Sequence, residues 1–382
     1  MLESLKNFVR RHKKKFVVLG VVTGGAVLLW KYGEWKLQQW QDKETDECLV
    51  MARRQHHFDS NQRTCNMTVL SMLPKTKEAL SLLLDSDGII QMLKAKPENK
   101  VDLWNDLKII SFSRTIASVY STAMLVVFLR VQLNIIGGYM YLDTLLGKNE
   151  MSEERILATP DVQKRYLANV QYLLTDGMSC MVSAVREAVE NVLGSMPLQK
   201  TLGLRDIERL FSSVRCQVEA AKLGEQGSGM ECTIHPLVRY MVPVEEDEDQ
   251  GEDTACQISS DQLTVNGKLM LETRDMLESS DFHSVLNTCL DIGFSRVLDN
   301  MADFFRPSSD FSAETAPTTG LIDAHLPLAK IIPVINGQIN ALCGETPNPY
   351  IQELLLMKCV KDFAANVYEA FSQLPPDPTH DP

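Results

Sequence analysis

Apolar residues recur at intervals of three and four from about residue 34 to about residue 373, and β-branched alternation is nowhere sustained. A helix gathers every third and fourth side chain onto one face, whereas a half-buried strand needs strict alternation, so the pattern predicts an all-α fold. The predicted helices run from about 34 to 57, 66 to 95, 98 to 142, 160 to 195, 203 to 223, 259 to 278, 282 to 305, 324 to 343 and 349 to 373. Their punctuation agrees: Pro97 sits where a first-turn proline is tolerated, Asp161 follows Pro160 in a first turn, and Gly194 with Pro197 closes the next segment. Three stretches read as loops, at 224 to 260 with the acidic run Glu245, Glu246, Asp247, Glu248 and Asp249, at 307 to 320, and at 344 to 349. The proline-rich end, 374 to 382, reads as a disordered tail.

The N-terminus has a different character. Arg10, Arg11, His12, Lys13, Lys14 and Lys15 lead directly into an uncharged apolar run from Phe16 to Trp30. That run makes roughly 22 Å of helix at about 1.5 Å per residue, slightly short of a hydrocarbon core of about 30 Å. Snorkelling by Lys15 and Lys31, with Trp30, Tyr32 and Trp35 at the interface, makes up the deficit. A transmembrane anchor over 16 to 33 is therefore expected, behind a basic segment over 1 to 15 and ahead of one large helical bundle over 34 to 373. A cleaved signal peptide and a buried core helix are the alternatives. Bulky Val27 to Trp30 after Gly24 and Ala26 make a poor cleavage site, and the flanking charges disfavour a core helix. The uncharged stretch Thr115 to Leu129 holds Ser118, Tyr120, Ser121 and Thr122 and continues as an amphipathic helix, so a buried central helix accounts for it better than a second span.

Residues 1 to 40 carry a balance of +6, while the whole chain carries −12, so the remainder is strongly acidic. Nucleic acid is an unsuitable partner for such a surface, because phosphate binding needs concentrated basic charge. The nine cysteines are odd in number, scattered and without a C-x-x-C pair, which fits a reducing compartment. The chain contains no phosphate-binding loop, dinucleotide fingerprint, H-E-x-x-H or G-x-S-x-G sequence. Neither an enzyme nor a cofactor is indicated, and Cys232 with His235 falls short of a metal site because only Cys256 is offered nearby.

The helix after Pro97 is more informative. Lys100, Trp104 and Leu107 share one face, and Leu93 joins it if the preceding helix roughly continues across the proline. Trp104 can be read as core filling, or as an exposed aromatic anchor beside a lysine, a composition found at protein-binding hot spots.

Longer blocks carry a resemblance. Arg11 to Lys15, Phe58 to Pro74 (FDSNQRTCNMTVLSMLP), Asp106 to Phe112 (DLKIISF), Leu129 to Tyr139 (LRVQLNIIGGY), Glu272 to Glu278 (ETRDMLE) and Lys361 to Phe371 (KDFAANVYEAF) resemble the vertebrate peroxin-three family. The likeness runs from the N-terminus to about residue 373, weakening at about 143 to 160, in the acidic loop and at 307 to 323. It implies a single-pass protein of the peroxisomal membrane, the bulk of it facing the cytosol, that catalyses no reaction. Its role would be to dock peroxin nineteen, the soluble chaperone for peroxisomal membrane proteins, and so to enable their insertion. The partner's N-terminal amphipathic helix would enter a groove that includes Leu93, Lys100, Val101, Trp104 and Leu107, with Met140 as a further candidate. The resemblance thus favours the exposed-anchor reading of Trp104. It also assigns Arg10, Arg11, Lys13, Lys14 and Lys15 to a targeting signal on the matrix side, against the positive-inside rule. Tethering of motility or autophagy factors is the alternative role it suggests.

Overall fold

A computed structural model describes residues 13–95, 98–146, 158–220, 235–243, 260–305, 324–344 and 347–373. The chain divides into two units, Met1–Asp59 and Ser60–Pro382. The described part of the first is the N-terminal portion of helix α1 (Lys13–Leu83), whose described side chains are largely exposed. Of the residues that the resemblance assigns to targeting, Lys13, Lys14 and Lys15 open α1, while Arg10 and Arg11 lie outside the described residues.

In the second unit α1 acquires a buried face. Cys65, Val69, Leu73, Thr76 and Leu80 recur at helical spacing and are fully or almost fully buried. Pro74 falls on the exposed side, where the carbonyl it leaves without an N–H donor can meet water. The sequence pattern separates helices 34–57 and 66–95, but α1 runs unbroken across 58–65. Asn61 donates to the Leu133 carbonyl at 2.9 Å and Gln62 to the Asn134 amide oxygen at 2.7 Å. These side chains are thereby held away from their own backbone, with which such residues otherwise compete for helix hydrogen bonds. The break comes instead at Leu84, where Asp85 accepts from the Gly88 N–H at 2.8 Å and starts α2 (Ser86–Lys94).

The 47-residue α3 (Lys100–Leu146) is the axis of the second unit. Every residue from Ser111 to Tyr139 is buried, as expected of a helix that is apolar on all sides and enclosed by others. The helix is long and apolar enough to cross a membrane, but its apolar window is wholly covered by protein. Thr115 to Leu129 is accordingly a central core segment. Its hydroxyls are satisfied along the helix, Ser118 donating to the Arg114 carbonyl and Ser121 to the Ala117 carbonyl, each at 2.7 Å.

Around α3 pack α2, α6 (Asp176–Leu193), α8 (Ser260–Glu278), α9 (Ser280–Ala302), α10 (Leu328–Asn336), α11 (Gln338–Cys343) and α13 (Lys358–Phe371). Before α6 come α4 (Pro160–Ala168) and α5 (Val170–Leu174), so the predicted helix 160–195 is broken at Asn169 and Thr175. Similarly, α12 (Pro349–Leu356) is separated from α13 by an extended Met357. Between α6 and α8 stands α7 (Leu204–Ala220). The fold is all-α apart from a two-residue antiparallel pairing of Thr201 with Pro327 and Leu202 with Leu326. Part of the predicted loop 224–260 is also packed: at 235–243 a short 3₁₀ turn, Val238–Tyr240, buries Leu237, Val238, Tyr240 and Met241. The acidic run, residues 307–320 and the tail lie outside the described residues.

Candidate partner-binding groove

Helix α2 reverses direction before α3. The Arg114 guanidinium donates to the Ser86 hydroxyl and lies 3.8 Å from the Asp87 carboxylate. Had α2 continued into α3 as one helix, residues 86 and 114 would stand about 42 Å apart. Leu93 therefore reaches the Trp104 face by antiparallel packing and not, as the sequence suggested, by continuation across Pro97.

The reversal leaves a hollow of about 430 Å³ between α2, the first turns of α3 and α10. Helix α2 contributes Ile90, Leu93 and Lys94, and α3 contributes Lys100, Trp104 and Leu107. The third wall is Ile332, Pro333 and Asn336 of α10, held against α3 by the Thr115 hydroxyl, which donates to the Ile335 carbonyl at 2.7 Å. Leu107 and Ile332 are buried and form the floor, whereas Trp104 is half-buried and packs its inner side against the core. Lys94 and Lys100 are exposed. The Asn336 amide oxygen is buried and accepts no hydrogen bond. One turn beyond Trp104, Lys108 is fully buried, and burial lowers its pKa from the ordinary lysine value. Its ammonium donates to the Gly194 and Met196 carbonyls at 3.2 and 2.9 Å, just past the C-terminus of α6, where a cation suits the helix dipole.

Such an arrangement offers an apolar trough, an aromatic wall with one free side and cationic groups nearby. It is suited to burying the apolar stripe of an amphipathic helix. A larger hollow of about 520 Å³ lies against Trp30, Glu34, Leu37, Gln38 and Gln41. Its described lining belongs to α1 alone, so it lacks the three-sided enclosure of the α2–α3–α10 groove.

Of the six residues anticipated for partner binding, Leu93, Lys100, Trp104 and Leu107 meet in this groove. Val101 does not line it and is 66% exposed to solvent. Met140 is 36 positions beyond Trp104 on α3, about 54 Å along the axis, so it cannot share a groove with the others. Ile90, one turn before Leu93, and Lys94, one turn after Ile90, were within reach of sequence reasoning. Ile332, Pro333 and Asn336 were not: their segment carries only the signature of an apolar helix, which says nothing about its neighbour. Among the described residues no cluster of potential metal ligands occurs. His235 instead packs against His283, with ring centroids 5.3 Å apart, while Cys232 and Cys256 lie outside the described residues.

The sequence model of the Peroxin-3 family matches residues 7–100 and 94–370. The peroxisomal biogenesis factor 3 proteins of Rattus norvegicus and Homo sapiens are each 52% identical to the chain, over 373 and 378 residues. The Mus musculus protein of the same name is 51% identical over 373 residues. Each alignment covers 97% of this chain and 98% of the relative. These relatives are named as biogenesis factors and not as enzymes.

Proposed function

The chain belongs to the Peroxin-3 family and is a peroxisome biogenesis factor, and from that premise we propose that it is a membrane-anchored docking receptor for peroxin nineteen. In this reading residues 16–33 span the peroxisomal membrane with Arg10 to Lys15 on the matrix side, and the helical domain faces the cytosol. The chaperone presents its cargo by inserting an N-terminal amphipathic helix between α2, α3 and α10, and the cargo then passes into the membrane. The work is binding, with no reaction catalysed by the chain.

The observation that carries the proposal is the three-walled apolar groove with Trp104 half-buried in its side. A tryptophan with one face on the core and the other on an open trough is rigid, large and free to be covered, as hot-spot anchors are. The groove residues are Leu93, Lys100, Trp104 and Leu107 with Ile90, Lys94 and Ile332, and Val101 stands outside the lining. The direct test is titration of the full chain in detergent with a peptide of the chaperone's N-terminal helix. Saturable binding that a Trp104→Ala variant weakens is the expected result; wild-type affinity in that variant would remove the groove from the docking site.

A further inference from the structure

Three of the four tryptophans in the chain, Trp30, Trp35 and Trp40, fall within eleven residues of α1, and they are 76%, 58% and 68% exposed. Tryptophan seldom stands so open, and clustering of this kind marks a surface that something covers. Their angular placement identifies the cover. At about 100° per residue, Trp35 lies about 140° around the helix from Trp30, and Trp40 about 140° further. Tyr32 and Leu37, also exposed, occupy intermediate angles, and the Tyr32 and Trp35 rings pair at 6.0 Å. A protein groove would cover one stripe of the helix. Aromatic residues distributed around it need a partner that surrounds the helix, and a lipid interface does so.

We infer that the stretch Trp30 to Trp40 crosses the cytosolic interface of the membrane, with Trp35 at the hydrocarbon boundary and Trp40 among the lipid headgroups. The inference rests on the anchor reading above and sharpens it. Measured from Phe16, the hydrocarbon core of about 30 Å is filled by about 20 residues, which ends at Trp35 and not at residue 33. Trp40 then lies about 7.5 Å further out, within a headgroup layer of about 5 to 7.5 Å. Lys31 sits about 6 Å inside the boundary, a depth its side chain can span to reach the headgroups. The shortness of the apolar run is thus made good by the aromatic turns that follow it.

Full-length protein in phosphatidylcholine vesicles, carrying Trp104→Phe and retaining one of the three N-terminal tryptophans at a time, tests the order of depths. Trp30, about 7.5 Å inside the boundary and so half way down a leaflet of about 15 Å, should be quenched most by bromines at mid-chain. Trp35 should respond about twofold more strongly to bromines near the carbonyl end than to those near the methyl end, and Trp40 to a headgroup-attached spin label. A chain that resists carbonate extraction but whose Trp40 ignores the headgroup label, or whose three tryptophans report one depth, overturns the placement while leaving the anchor intact. Extraction by carbonate with no quenching at any position overturns both.

Discussion

The Lys108 ammonium donates to the Met196 carbonyl at 2.9 Å from one helical turn beyond Trp104. With its second bond to the Gly194 carbonyl, it ties the groove-bearing end of α3 to the end of α6. These two acceptors are main-chain groups, with the Asn105 amide oxygen a third acceptor at 3.4 Å, and the methionine of Lys108→Met satisfies none of them. That substitution should cost about 1 to 3 kcal/mol, because buried acceptors lose their donor. Equilibrium denaturation measures it, and an unchanged midpoint would mean that water replaces the ammonium at no cost.

Trp104→Ala should separate binding from folding. Its inner face packs on the core, so truncation should lower stability by about 1 to 2 kcal/mol, short of the 3 to 5 kcal/mol typical of a fully buried tryptophan. Peptide affinity should fall by at least about 2 kcal/mol, or roughly 30-fold. A thermal melt and a titration on the same sample decide between these effects. Lost affinity that merely tracks the unfolded fraction would return Trp104 to the core.

Leu107 and Val101 form a contrasting pair on the same helix. Leu107 is 3% exposed, so Leu107→Ala should cost about 2 to 5 kcal/mol and impair binding through the fold. Val101→Ala, at an exposed position outside the lining, should change stability by no more than about 0.5 kcal/mol and binding little. Strong loss of affinity with Val101→Ala would show that the docked helix reaches beyond the groove.

Gly138 lets α3 lie tightly against the end of α13. A Cβ built there would lie 2.7 Å from the main-chain carbon and oxygen of Phe371, neither of which can swing aside. Gly138→Ala should therefore destabilise by about 1 to 3 kcal/mol, although alanine is the better helix former. Denaturant titration that showed a stabilised variant would mean that α13 can shift outward freely.

Acid should loosen residues 235–243. The His235 N–H donates to His283 Nε2 at 3.0 Å, and His235 Nδ1 accepts from the Leu237 N–H at 3.2 Å, so both rings must be neutral. Burial is the main cause holding each pKa below 6.5; at His283 the neighbouring His235 lowers it further and a hydrogen bond with the Leu277 main chain raises it, while at His235 Asn287 and Glu219 raise it and Arg215 lowers it. With the folded-state pKa values depressed, the unfolded chain binds more protons, and this contribution to stability is present above about 6.5 and lost as pH falls through the lowered values. The melting temperature should drop between pH 7.5 and pH 5.5, and the protection of the 235–243 amides against hydrogen exchange, taken relative to their intrinsic rate at each pH, should fall over the same interval. Equal protection at the two pH values would refute this role for the two histidines.

The chain's own pattern determined that it folds into helices, that the stretch around Thr115 to Leu129 is core, and that Lys100, Trp104 and Leu107 share a face. These follow from periodicity and side-chain chemistry, which act over a few turns. The long blocks between Phe58 and Phe371 likewise carried the family likeness. What local pattern could not supply was any event decided by a distant partner. Asn61 and Gln62 keep α1 unbroken because Leu133 and Asn134 satisfy them, and α2 turns back on α3 where Arg114 meets Ser86 and Asp87. The groove gains its third wall from Ile332, Pro333 and Asn336, more than 220 residues after Trp104, and Met140 is removed from it by the length of α3. An apolar helix face specifies that it must be covered, and only the packed tertiary structure selects which element covers it.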